Sequence, residues 1–260
     1  MSIVRPKKYL GQHFLNDRNI AEKIVESILS EPITNVIEVG PGMGVLTQFL
    51  TGREGISFKA VEIDAESVSY LRRNFPAFHG CFIHGDFLKM DLSEVFSGKM
   101  AVIGNFPYNI SSQIFFRVLD YRQTIPIVVG MLQKEVARRI CSGPGNKNYG
   151  ILSVLLQAYY HAEYLFEVPP HVFIPPPKVT SAVIRLKRND RVNLNCDEVL
   201  FKKIVKASFN QRRKILKNSL SIFNVEIQPE FAMLRPEQLT VEQFISITSY
   251  IQHSIRTGKE

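Results

Sequence analysis

Apolar residues in the first two-thirds of the chain fall into short runs separated by amphipathic stretches. Residues 36–39, 58–63, 81–84, 100–104 and 125–131 are runs of the length and β-branched content of buried strands. Between them, Ile20, Ile24, Val25 and Ile28 recur at helical spacing, which predicts a helix over 19–29 with Asn16 or Asp17 as its cap. Further helices are predicted from the glycine turn through Leu50, and over 67–74, 111–119, 134–140 and 151–160. This alternation predicts an α/β fold: a largely parallel sheet with helices on both faces. Residues 164–168 and 181–186 read as two closing strands, the last antiparallel. Beyond Lys187 the strand pattern stops, and 198–210, 212–220 and 241–253 read as helices. The expected organisation is a sheet domain over 1–188 and a small all-helical domain over 189–260.

Composition narrows the partners. With 45% hydrophobic residues in 260, the chain can bury a sizeable core. A net charge of +8 and a pI near 9.4 favour a polyanionic partner. Cys81, Cys141 and Cys196 are far apart and form no C-x-x-C pair, so no zinc site or disulfide framework is expected and a reducing, cytoplasmic setting fits. No apolar stretch approaches the roughly 18–20 residues that span a bilayer. Arg5, Lys7 and Lys8 are not followed by the apolar core of a signal peptide. His13 has no second histidine at metal spacing, and no metal is expected.

Two constellations carry chemistry. Glu38-Val39-Gly40-Pro41-Gly42-Met43-Gly44 follows the first strand of the sheet and opens a helix. Glycines there let a ligand approach the backbone closely. Glu62 ends the second strand, 22 residues beyond Gly40, where a carboxylate accepts from ribose hydroxyls. This pair is shared by nicotinamide and S-adenosylmethionine sites. Three features favour the methyl donor. Val45 stands where a dinucleotide site has its third glycine. Asp86 ends the third strand, placed to accept from an adenine amino group. Glu38 adds negative charge that would repel a pyrophosphate but not a sulfonium or an α-amine. The segment 7–17, rich in mixed polar and aromatic residues, either folds over the cofactor with basic residues towards RNA or packs Phe14 and Leu15 as a helix lead-in.

The second constellation is Asn105-Phe106-Pro107-Tyr108, at the end of the run 100–104. An exocyclic amine on a purine is a poor nucleophile because its lone pair is delocalised. Two acceptors, the Asn105 side-chain oxygen and the carbonyl before Pro107, can hold both N–H groups and free that lone pair. Pro107 fixes the turn and removes a competing donor. Tyr108 offers a face for a flipped-out base. Phe173, in the stiff loop 169–179, either supplies the opposite face or packs in the core. From Lys187 to Lys217 there are ten Lys/Arg against three acids. Lys202, Lys203 and Lys206 fall off the apolar face of the predicted helix. Arg212, Arg213 and Lys214 are expected at a helix start, where cations gain nothing from the helix dipole and so suit phosphate binding.

These stretches resemble the small-subunit ribosomal RNA adenine N6,N6-dimethyltransferases. The resemblance runs through 11–17, 38–44, 104–111, 131–136, 175–179 and 209–214, nearly the whole chain. It implies a Rossmann-like methyltransferase domain with a small helical C-terminal domain that contacts RNA. It implies S-adenosylmethionine contacts at His13, Leu15, Gly40, Glu62, Asp86 and Asn105, to which the glycine-turn reading adds Glu38 and Gly42. Asn105, Pro107 and Tyr108 would orient the target adenine. The implied reaction is four direct methyl transfers to two adjacent adenosines near the 3′ end of the small-subunit rRNA, within a pre-ribosomal particle. Lys7 and Lys8, with the C-terminal basic residues, would contact that RNA, and the protein would act as a monomer. Two departures from the family pattern are His13, where Asn is common, and Phe106, where Leu is common; the first bears on a cofactor hydrogen bond and the second on the pocket entrance. The alternatives are a large-subunit rRNA adenine N6-methyltransferase, a DNA adenine methyltransferase, and a non-catalytic assembly or transcription factor that binds RNA or DNA on the same scaffold.

Overall fold

In a computed structural model, which describes residues 4–257, the elements follow in chain order. They are β1 (Phe14–Leu15), α1 (Arg18–Leu29), β2 (Asn35–Val39), α2 (Thr47–Leu50), β3 (Ser57–Glu62), α3 (Ala65–Asn74), β4 (Phe82–His84), β5 (Ala101–Asn105), α4 (Ser111–Asp120), β6 (Ile127–Gln133) and α5 (Lys134–Cys141). After these come α6 (Ile151–Gln157), β7 (Tyr160–Val168), β8 (Phe173–Ile174), β9 (Ser181–Arg188), α7 (Glu198–Asn210), α8 (Leu216–Ser219), α9 (Pro229–Ala232) and α10 (Val241–Thr257).

Seven strands form one sheet in the order β4-β3-β2-β5-β6-β9-β7. The pairs from β4 to β6 are parallel, and β9 runs antiparallel to β6, with Ile127 opposite Lys187 and Gln133 opposite Ser181. The chain leaves β2 in one direction through β3 and β4, then returns to β5 on its other side. The crevice outside the carboxyl ends of β2 and β5 is therefore the switch point where open α/β sheets bind ligands. β1 and β8 form a separate antiparallel pair, Phe14 opposite Ile174 and Leu15 opposite Phe173.

Local sequence explains the framework. The Asp17 side chain accepts from the Ile20 N–H at 3.0 Å and caps α1. Ala21, Ile24, Val25 and Ile28 then line one buried face of that helix. They join a core with Val36 of β2, Ala101 and Ile103 of β5 and Val129 of β6. Each Val or Ile side chain among them contributes roughly 1.5–3 kcal/mol through its removal from water.

By contacts the chain separates into two units. One is the chain to Ala137 with Glu163–Arg188; the other is Arg138–Ala162 with the chain from Asn189. The crossing at 188/189 lies where the strand pattern stops in the sequence, but 138–162, which precedes it, groups with the C-terminal helices. In that second unit, Asp197 caps α7 by accepting from Val199 and Leu200 N–H, each at 2.9 Å. Phe201, Ile204 and Val205 of α7 are buried, as are Phe244, Ile247 and Ile251 of α10. Phe209 lies 5.9 Å from Phe244 and 6.0 Å from Tyr149, centroid to centroid.

Three predicted elements change. The helix expected over 151–160 ends at Gln157, and Tyr160 begins a strand longer than the predicted 164–168. Its His161, Glu163 and Glu167 dilute the apolar signal because β7 ends the strand order and is an edge. The helix expected over 212–220 is only the single turn Leu216–Ser219.

Candidate active site

The carboxyl ends of β2, β3, β4 and β5 open into one cleft enclosing about 710 Å³ of empty space, part of it open to solvent. Gly40 and Gly42 of the glycine turn line it, with Glu62 from β3, Asp86 beyond β4, and Asn105, Pro107 and Tyr108 from β5 and the turn that follows. Gly42 has φ 56°, and a Cβ there would lie 2.8 Å from Phe14 Cε1, so neither its backbone nor its space admits a side chain. The Gly42 N–H donates to Glu62 Oε2 at 3.1 Å, and the Asp64 N–H to Glu62 Oε1 at 2.9 Å. Burial pushes the Glu62 carboxyl above the usual carboxylate range, against these two donors. Asp86 is fixed by the Leu88 N–H at 3.0 Å. Ile63 and Phe87 stand as apolar neighbours of the two acids, and no lysine or arginine lines the cleft.

Glu38 is corrected by the structure. Its side chain is 1% exposed, does not line the cleft, and accepts from Thr47 Oγ1 at 2.7 Å. Burial raises its pKa to about 8, opposed by the Thr47 hydrogen bond and helped by the nearby Glu62. The Glu38 carboxyl is thus mostly protonated at neutral pH and adds no negative charge at the glycine turn.

Asn105 is anchored through its amide: Nδ2 donates to the His13 carbonyl at 2.8 Å, which leaves Oδ1 as the acceptor available to a target. The Tyr108 hydroxyl shares a hydrogen bond with Ser181 Oγ, and burial raises its pKa. The His13 ring stacks on Tyr108 with centroids 5.4 Å apart, and its Nδ1 lies 2.7 Å from the Pro175 carbonyl. His13 therefore meets the Asn105–Tyr108 turn as well as the cleft. Phe106 is fully buried. Its ring covers Gly104 and Gly130, which face each other across β5 and β6, and meets Phe115 edge-on at 5.8 Å. The departure from Leu is accommodated by two strand glycines, and Phe106 is at the same time a lining residue of the cleft.

Phe173 is corrected as well. It is 2% exposed and lies in the core, so it offers no stacking face. In the β1–β8 ladder successive side chains alternate, and Phe173 turns inward with Leu15 while Ile174 is half exposed. The Leu15 side chain is 3% exposed and packs in the core rather than lining the cleft.

Among the basic residues, Lys7 pairs with Asp64 and with Glu66 rather than standing in solvent. Lys8 is exposed. In the second unit Lys203, Lys206, Arg213 and Lys214 are exposed, Lys202 is half-buried, and Arg212 Nε lies 3.7 Å from Glu237. α7 ends at Asn210 and the single-turn α8 begins only at Leu216, so 212–214 lie in the turn between them, next to the C-terminus of a long helix rather than opening one of their own. Cations are favoured there by the dipole, which removes the electrostatic argument against a structural role. Their case for phosphate binding rests on exposure.

Sequence reading missed Gln12, Asp64, Phe87 and Ser181. Asp64 was visible as the second acid of Glu62-Ile63-Asp64, Phe87 as the apolar residue after Asp86, and Gln12 as a member of the 11–17 stretch; Ser181 carries no local signal. Among the described residues no group of His, Cys, Asp and Glu is arranged to hold a metal, and no helix is long and apolar enough to cross a membrane.

Residues 3–253 match the family described as ribosomal RNA adenine dimethylase. The chain is 57% identical over 252 residues to ribosomal RNA small subunit methyltransferase A of Parabacteroides distasonis, covering 95% of this chain and 94% of that protein. It is 55% identical over 255 residues to the protein of the same name from Cytophaga hutchinsonii, covering 96% and 99%. Among solved structures, a dimethyladenosine transferase from Plasmodium falciparum superposes with a TM-score of 0.76 at 21% identity, covering 95% of this chain and 98% of that one, which supports the fold. The 23S rRNA methyltransferase ErmE gives 0.67 at 26% identity, covering 90% and 99%.

Proposed function

The chain belongs to the ribosomal RNA adenine dimethylase family, and from that premise we propose that it uses S-adenosylmethionine to dimethylate N6 of two adjacent adenosines near the 3′ end of small-subunit rRNA, in a cytoplasmic pre-ribosomal particle. The observation that carries this is the convergence of the glycine turn, Glu62, Asp86 and Asn105-Phe106-Pro107-Tyr108 on one cleft.

The donor set fits S-adenosylmethionine. Glu62, held by two backbone N–H groups, accepts from ribose hydroxyls, Asp86 accepts from the adenine amino group, and Ile63 and Phe87 flank the ring. Among the described residues a pyrophosphate would find two acids and no lysine or arginine lining the cleft, the Lys89 ammonium 3.6 Å from Asp86 standing outside that lining. When bound, S-adenosylmethionine supplies a methyl group already activated on a sulfonium, so no covalent enzyme intermediate is required.

The protein's own part is positioning. Asn105 Oδ1 and the Phe106 carbonyl hold the two N–H groups of the target amine, and Tyr108 stacks on its ring. The His13 carbonyl fixes which end of the Asn105 amide faces the target. After one methylation a single N–H remains, and one of the two acceptors suffices. Lys8, Lys202, Lys203, Lys206, Arg212, Arg213 and Lys214 bind rRNA phosphates, and the protein acts as a monomer.

The test is methyl transfer from labelled S-adenosylmethionine to small-subunit particles purified from cells lacking the protein, with primer extension to locate the product. Wild type labels two adjacent adenosines near the 3′ end. Asn105→Ala loses transfer by about 10²–10³-fold, the cost of removing one positioned polar group, with particle binding retained. Label on large-subunit RNA instead, or full activity in Asn105→Ala, overturns the reading.

A further inference from the structure

We infer that Lys7 is a positioning residue for the cofactor half of the cleft, latching the 7–13 segment over it through Asp64; this rests on the methyl-donor reading of the cleft. Lys7 Nζ contacts Asp64 Oδ1 and lies 3.3 Å from Glu66 Oε2. The Lys7 N–H donates to Gln12 Oε1 at 2.8 Å, and Gln12 Nε2 approaches Asp64 Oδ2 at 3.4 Å. Asp64 is 4% exposed and also accepts from Ser67 Oγ at 3.0 Å and the Glu66 N–H at 3.1 Å. Its own N–H donates to Glu62 Oε1. One unbroken set of contacts therefore runs from Lys7 through Asp64 to the carboxylate that holds the ribose.

The segment has a second, separate tether. The His13 carbonyl accepts from Asn105 Nδ2, and β1 pairs with β8. Between the two tethers, Leu10, Gly11 and Gln12 form a wall of the cleft. Gly11 is pressed against the turn beyond Asn105, where a Cβ would lie 2.6 Å from Asn109 Oδ1. Releasing Lys7 frees the end of the segment next to Glu62 and leaves the end that sets Asn105 in place. Loss of the latch thus weakens cofactor binding and spares the transfer step. A lysine already satisfied by two carboxylates is poorly suited to hold an RNA phosphate.

The experiment is calorimetric titration of the full chain with S-adenosylhomocysteine, in wild type, Lys7→Met and Lys7→Arg. Lys7→Met weakens binding roughly tenfold, the scale of a part-buried ion pair, and Lys7→Arg restores most of it. The KM for the methyl donor rises in parallel, kcat stays within about twofold, and affinity for small-subunit particles is unchanged. A Kd in Lys7→Met within about twofold of wild type overturns the latch, as does lost particle affinity with an unaltered Kd. A wild type that binds no S-adenosylhomocysteine overturns the methyl-donor reading itself, a result distinct from either.

Discussion

The imidazole of His13 lies on the ring of Tyr108, centroids 5.4 Å apart and planes 27° apart. The aromatic face that Tyr108 offers to the proposed target base is thus partly covered by a residue on the N-terminal segment. With Phe173 in the core, His13 is the aromatic neighbour that Tyr108 has on this side. Stacking on Tyr108 should dominate over its hydroxyl. Tyr108→Phe, which loses only the Ser181 hydrogen bond, should keep methyl transfer to particles within about tenfold. Tyr108→Ala should lose roughly a further 10–100-fold, the scale of one base–aromatic stack. Single-turnover rates on small-subunit particles measure both.

Glu62 should make cofactor binding pH-dependent. Burial raises its pKa, so the protonated form persists to higher pH than in an ordinary carboxylate. Only the ionised form accepts from two ribose hydroxyls while keeping its two backbone donors. Affinity for S-adenosylhomocysteine should therefore fall as pH is lowered through that raised value. Glu62→Gln should bind more weakly and with a flat pH profile, measured by titration calorimetry.

Glu38 should shape stability on the alkaline side. Its folded pKa, raised from 4.5 to about 8, means the folded state holds a proton that the unfolded chain has released. Its contribution is fully present below the unfolded value and is lost as pH rises through about 8. Glu62, shifted in the same direction, acts with the same sign. Thermal melts across this range should show falling stability. Glu38→Gln, which keeps an acceptor for Thr47 but cannot ionise, should remove part of the slope.

Gly130 should not tolerate a side chain while Phe106 is present. A Cβ would sit 2.4 Å from Phe106 Cε2. Gly130→Ala should cost about 1–3 kcal/mol, the range for overpacking, and Phe106→Leu in the same chain should recover part of it. A denaturant double-mutant cycle gives the coupling.

Arg213 and Lys214 should contribute to RNA binding through salt-sensitive contacts. Replacing either with Gln should reduce the slope of log affinity against log salt by roughly 0.7–0.9 per phosphate released. Arg212, already beside Glu237 at 3.7 Å, should give a smaller change. Filter binding of particles across a salt series measures it.

The sequence by itself determined the sheet and its crevice. The short apolar runs, the glycines of 40–44 and the turn 105–108 are local patterns, set by neighbours within a few residues, and they fall at the ends of β2 and β5. Tertiary structure alone decided which way side chains turn and what charge they carry. Phe173 went inward because of its ladder register with Leu15, a partner 158 positions away in sequence. Glu38 kept its proton because the fold removed it from water, and Lys7 found Asp64 57 residues distant. Arg212, Arg213 and Lys214 lie outside a helix because the helix expected over 212–220 forms only as the single turn Leu216–Ser219. Register, desolvation and ion pairing all depend on groups far apart along the chain, and no periodicity in the sequence reports them.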